Sequence, residues 1–334
     1  MHHVVRAEAV ICRPVYPGHS KGYARHATFD RSTGSTHTGM GLCELAAGGR
    51  VDLHVQSFEE YFYVTEGEPT LILDGVAHPL VPGSCGVVPV AAPHAWLGPA
   101  SGAARWIEMV TPIPRGPGEP ADVFFLGPPK GYQTAPLDIR DPRSRYLFRM
   151  TDDDITLDKL KVGSRIDAPT VSASMATALL AYSGIAVKML VDQRLSAALG
   201  NMFMVEYQPG GAAHFHDHPL EEAYYILEGE VEAHADGEIY TLKEGDVLWT
   251  GVGCIHAFFN RTDTTVRWLE TQSPQPPARH SYRFNRDWDY LTEKLGGTAG
   301  TAKTRTAARS PAVKQTAPKK TAPKKAAAAG KKTK

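Results

Sequence analysis

The chain has no uninterrupted apolar run long enough to cross a bilayer as a helix, which argues against a helical membrane protein. Its opening, Met-His-His-Val-Val-Arg-Ala-Glu, lacks the charged-then-apolar pattern of a signal peptide. Cysteine is scarce. Cys12, Cys43, Cys85 and Cys254 show neither a paired metal spacing nor the look of a disulfide framework, so a reduced, cytoplasmic protein is expected. Acidic residues stop at Glu293, and the 11 bases after Leu295 stand unopposed, while the first 295 residues carry 25 bases against 36 acids. That tail repeats Thr-Ala-Pro-Lys-Lys at 316–320 and 321–325 and has no apolar residue larger than valine, so disorder is expected. Counterion release gives such a tail some attraction to nucleic acid. Without aromatics for stacking or a folded reader, a solubilising appendage is the better expectation.

What the chain does have is short alternating runs of Val, Tyr, Phe and Thr between Gly, Pro and Asp-Gly punctuation, a mostly β pattern. It also has a repeat. An offset of 162 carries Gly48 to Gly210, His54 to His216, Glu60 to Glu222, Asp74-Gly75 to Asp236-Gly237, Gly83 to Gly245 and His94 to His256. The same offset carries Arg105-Trp106-Ile107-Glu108 to Arg267-Trp268-Leu269-Glu270 without a gap. The chain is therefore read as two copies of one β module, each a small antiparallel barrel or jelly roll. In the second copy the predicted strands are Val231–Ala235, Glu238–Leu242, Val247–Thr250, His256–Asn260 and Thr265–Thr271. The expected division is 1–120, a connecting segment 121–165, 166–295, and the tail 296–334. Asp152-Asp153-Asp154 in the connection is expected to be a solvated turn; its spacing gives no support for a calcium site.

The second copy holds His214-Phe-His216-Asp-His218 followed by Glu221-Glu222. In an extended strand the three histidines share one face, which suggests a metal but leaves open which of them bind and with which glutamate.

These residues resemble the cupin superfamily, and specifically the bicupins. The first cupin motif fits Gly210, His216, His218, Glu222 and Gly229; the pair His214 and His216 with Glu221 misses both glycines. The second motif fits Gly245, Gly251, Gly253, His256 and Asn260, with Gly251 in the place of a proline. The resemblance implies two tandem double-stranded β-helix domains and a metal held by His216, His218, Glu222 and His256. Three neutral imidazoles and one carboxylate suit one divalent transition metal per chain, iron or manganese first, with nickel, cobalt or zinc as alternatives, and leave two positions open. In the first copy His54, Gln56, Glu60 and His94 stand at the same places. A glutamine oxygen binds transition metals poorly, so this second site is expected to be weak or vestigial.

By alternation His214 is expected beside His216 as a general base, because imidazole titrates near neutrality. Tyr224 shares Glu222's face, and Phe258 and Asn260 share that of His256, which places them along the cavity. The function expected is a metal-dependent enzyme acting on a small organic acid, a dioxygenase first. One alternative is a hydrolase like the ureidoglycine aminohydrolases of ureide catabolism, whose architecture is similar but whose metal set is Glu, His, His and Gln. The other is a non-enzymatic ligand-binding bicupin. The expected partners are a small-molecule substrate and a second copy of the chain.

Overall fold

Between Val231 and Leu242 the chain does what an Asp-Gly pair between alternating runs dictates. Asp236 and Gly237 take left-handed φ values of +48° and +91°, the turn that matches strand twist. Strand Glu230–Ala235 then pairs antiparallel with Glu238–Lys243. Asp74-Gly75 repeats the turn, joining Thr70–Leu73 to Val76–Pro79. Gly229 and Gly67 end their strands for a second reason. A Cβ on Gly67 would lie 2.3 Å from the Ala103 carbonyl oxygen, and one on Gly229 2.7 Å from that of Thr265.

The computed structural model describes residues 1–115, 122–138, 140–155, 177–180, 184–275 and 283–284. Among them all the longer elements are strands, and the only helices are three-residue 3-10 turns. The fold is all-β. The tail 296–334, for which disorder is predicted, lies outside the described residues.

In the second copy a seven-stranded and a five-stranded sheet face each other. Tyr224, Ile226, Val231, Ala233, Phe258 and Trp268 fill the space between them. In the first copy the strands join one continuous twelve-stranded sheet that closes on Leu45, Val51, Phe62, Leu71, Trp96 and Trp106.

A third core lies between the copies. It contains Met40 and Met202, Tyr61 and Ala223, and Ile107 and Leu269, each pair related by the offset of 162. Thr111 and Ser273 are likewise equivalent, and their hydroxyls touch at 2.6 Å. Two equivalent positions can meet each other only near the axis that relates the copies, so a pseudo-twofold axis passes through this contact.

Strands are also exchanged across that axis. His2–Val5, at the start of the chain, pairs with Val247–Thr250 of the second copy. Leu147–Arg149, from the connecting stretch, pairs with Ser84–Val88 of the first. Val123–Gly127 and Gln133–Thr134 also pair with strands of the first copy. Asp152-Asp153-Asp154 forms a 3-10 turn in which Asp154 caps the Thr151 amide and Asp152 pairs with Arg267 of the second copy at 2.7 Å. The turn expected there is present, with its first carboxylate engaged across the molecule.

Candidate metal centre

Strand Ala212–Asp217 supplies His216, and strand His256–Phe259 supplies His256 directly opposite it in register. His218 follows in the turn, and strand Glu221–Glu228 brings Glu222. The nitrogens of His216, His218 and His256 lie within 4.8 Å of one another, and all three residues are buried. Glu222 Oε2 lies 2.8 Å from His218 Nε2 and 3.4 Å from His256 Nε2. The four expected ligands are brought together.

Each imidazole is held in one tautomer. Nδ1 of His216, His218 and His256 contacts the carbonyl oxygens of His214, Leu220 and Cys254 at 2.6, 3.0 and 2.9 Å. A carbonyl only accepts, so Nδ1 carries the hydrogen, and in the neutral ring Nε2 then holds the lone pair. This is how metal-binding histidines are usually oriented. Burial, with His256 adding to it, lowers His216 to about 3, so it is neutral over the physiological range. Burial also opposes a charge on His218, but the Glu222 carboxylate outweighs that and raises it. Glu222 is held well below the ordinary carboxylate range by His218 and then His256, against the effect of burial.

A second ring of groups fixes Glu222. Gln272 Nε2 donates to Oε1 at 2.6 Å, and the Tyr224 hydroxyl donates to Oε2 while lying 3.1 Å from His256 Nε2. Glu270, pushed well above its ordinary range by burial and by the charge of Glu222, accepts from Trp268 Nε1 at 3.0 Å. Tyr224 stands where alternation places it. Gln272 was missed by the sequence reading, and nothing in the strand's pattern singles it out.

Two expectations need correction. His214 does not share His216's face. The strand slips against its partner between Ala213 and His216, where two residues of one strand oppose one of the other. The His214 ring then lies edge-on to Phe259 at 5.4 Å, on the opposite face from Phe258. The first copy has the same slip between Val51 and His54. Asn260 does not line a cavity. Its Nδ2 is within 2.7–3.2 Å of the carbonyls of Tyr207, Gln208 and Thr264, and its Oδ1 accepts from Thr262, so its polar atoms brace the loop. Phe258 is 2% exposed and packs on Tyr224 and Trp268 as the floor beneath the site.

In the first copy His54 and His94 face each other with ring centroids 3.9 Å apart. Gln56 donates to Glu60 at 3.4 Å, where the second copy has an imidazole at 2.8 Å. Burial, followed by His94, takes His54 to about 3, and burial takes His94 to about 4. Burial raises Glu60, the reverse of Glu222. The floor differs as well. Arg25 is buried against Glu108 at 3.1 Å, and Cys43 donates to the same carboxylate. Tyr16, Tyr23, Phe58 and Trp96 complete a pocket of about 280 Å³, mouth included.

Comparison with known proteins agrees with this architecture. The cupin domain family matches residues 41–110 and 203–271, one stretch in each copy. A curated protein named polyketide synthase CurC, from Streptomyces cyaneus, is 30% identical over 90 residues, which is 27% of this chain and 58% of that protein's length. Three solved structures share the fold at low identity. Salicylate 1,2-dioxygenase from Pseudoaminobacter salicylatoxidans, bound to gentisate, superposes with a TM-score of 0.62 at 14% identity, covering 89% of this chain and 83% of that one. Oxalate decarboxylase from Lactobacillus farciminis, in a formate complex, gives 0.58 at 14%, covering 88% and 94%. A glyoxylate-induced protein from Pseudomonas aeruginosa gives 0.59 at 16%, covering 84% and 90%.

Proposed function

The chain is a bicupin, with one cupin domain in each copy of its repeat, and on that premise we propose that it is a metal-dependent enzyme acting on a small organic acid, with dioxygenation as the reaction. One observation carries the reading: three buried imidazoles, each with Nδ1 held by a backbone carbonyl, converge with a carboxylate inside the second domain.

The donor set fits a divalent transition metal. Three neutral nitrogens and one carboxylate oxygen leave such an ion with about one net positive charge. His216, His218, His256 and Glu222 would hold it, and when bound it supplies Lewis acidity toward an anionic oxygen of the substrate. The rest is done by the chain. Gln272 ties up Glu222 Oε1, so Oε2 is the oxygen turned toward the imidazoles. Tyr224 Oη keeps a proton beside that oxygen and beside His256 Nε2, where it is available to a reacting group. Phe258 and Trp268 keep water from beneath the site.

The test is elemental analysis of the purified protein, followed by oxygen uptake with gentisate, salicylate and oxalate. A bound transition metal, with turnover that stops under anaerobic conditions, is the expected result. Turnover that continues without oxygen and releases ammonia from a ureide would move the activity to the hydrolase class. Tight binding of an acid with no turnover would make the protein a binding module.

A further inference from the structure

We propose a second metal site, separate from the imidazole centre, built by His2, Asp236 and Cys254 and taking a zinc-like divalent cation. The three residues come from distant parts of the chain: the exchanged N-terminal strand, the Asp-Gly turn, and the loop leading to His256. Their donor atoms lie within 4.8 Å of one another. A nitrogen, a carboxylate oxygen and a sulfur on one point are the donor types of zinc sites, and three protein ligands leave a fourth position open.

A hydrogen-bond relay supports this independently. The Tyr240 hydroxyl has one hydrogen and donates it to Glu238 Oε2. Toward His2 Nε2, 2.8 Å away, it can therefore only accept. Nε2 must then carry a hydrogen, which leaves Nδ1 with the lone pair in the neutral ring. Nδ1 faces Asp236 Oδ2 at 3.6 Å. A nitrogen and a carboxylate oxygen turned toward each other need a proton or a metal cation between them, and a ligating histidine held from behind through its other N–H is the usual arrangement around a metal. Cys254, 1% exposed, completes the set from the buried side, while Asp236, with its side chain 33% exposed, leaves a way in.

The fold does not require this cluster. At the equivalent places the first domain has Asp74 but Ala92, with no thiol. On binding, Cys254 gives its proton to solvent and the thiolate joins the metal. The site would fasten the exchanged strand His2–Val5 to the domain it completes. The competing cation is the Met1 ammonium, which rests on the same Asp236 carboxylate.

The imidazole centre contains no sulfur, so a thiolate band that depends on Cys254 reports this site alone, and the test is independent of the proposed function. The full-length protein, with nothing added ahead of Met1, is loaded with Co²⁺ and read for a thiolate-to-cobalt charge-transfer band. The band should be present, and Cys254→Ser should abolish it and lower the bound cobalt by one ion per chain. His2→Ala, at a half-buried strand position, should weaken cobalt binding at this site at least about tenfold. Absence of the band, its persistence in Cys254→Ser, or unchanged cobalt affinity in His2→Ala would overturn the proposal, leaving an ammonium–carboxylate pair.

Discussion

At the scale of single residues, the two domains differ by a few exchanges around one glutamate. Glu222 has His218, Tyr224 and Gln272 on it; Glu60 has Gln56 at 3.4 Å, and its neighbours at the other two places are Phe62 and Val110. One carboxyl is held ionised by its partners and the other is raised by burial. The four candidate ligands were legible because motif spacing fixes four residue types at once. Gln272 was not, because a glutamine near the end of a strand looks like any polar residue. Phe62 shows that the fold accepts phenylalanine at Tyr224's place, so Tyr224→Phe should fold normally and keep its metal. It should lose roughly 10²-fold in kcat if the hydroxyl handles the proton. Steady-state rates beside elemental analysis check this, and a variant that turns over as fast as the parent removes Tyr224 from the mechanism.

At the scale of elements, the adjacent glutamates divide two tasks, and the alternation of the strand assigns them. Glu222 faces its own barrel. Glu221 faces the other domain, where Ser35 Oγ, Thr36 N and Oγ1, His37 N and Thr38 N all donate to it. Glu59 receives Ala198 N and Leu199 N in the equivalent place, and its carboxylate also accepts from Tyr61. Sequence could not reveal this clamp, because both partners are loops 139 to 186 residues away. It could not reveal the slip that turns His214 outward either, since an extra residue in a strand breaks the period of two without changing composition. The clamps supply a matched control. Glu221→Gln and Glu59→Gln should each lower stability by about 1–3 kcal/mol, the cost of weakened charged hydrogen bonds. Only Glu221→Gln, next to a complete ligand set, should also weaken metal binding, by about 10-fold or more. Thermal unfolding and competition with a chelator separate the two effects; equal metal affinities would make the clamp purely structural.

At the scale of the whole molecule, the offset of 162 residues made the duplication legible, but not that the copies are interlocked. Exchange of His2–Val5 and Leu147–Arg149, the shared core of Met40, Tyr61, Met202 and Leu269, and the Thr111–Ser273 contact make each domain part of the other's support. No pattern within one copy encodes those pairings. Duplication then leaves one barrel free to diverge, and the floor of the first has done so: Arg25, Cys43 and Tyr23 stand where the second has Val187, Val205 and Ile185. A buried Arg–Glu pair is costly to disturb and does nothing to hold a cation above it. The expectation is one metal on imidazoles per chain, in the second domain. His256→Ala should abolish binding of that ion while any thiolate-bound cobalt persists. His94→Ala should leave it in place, because the first domain lacks the third imidazole. Metal-to-protein ratios for the two variants decide the matter. Equal losses would mean that the two barrels bind alike, and that Gln56 is a ligand after all.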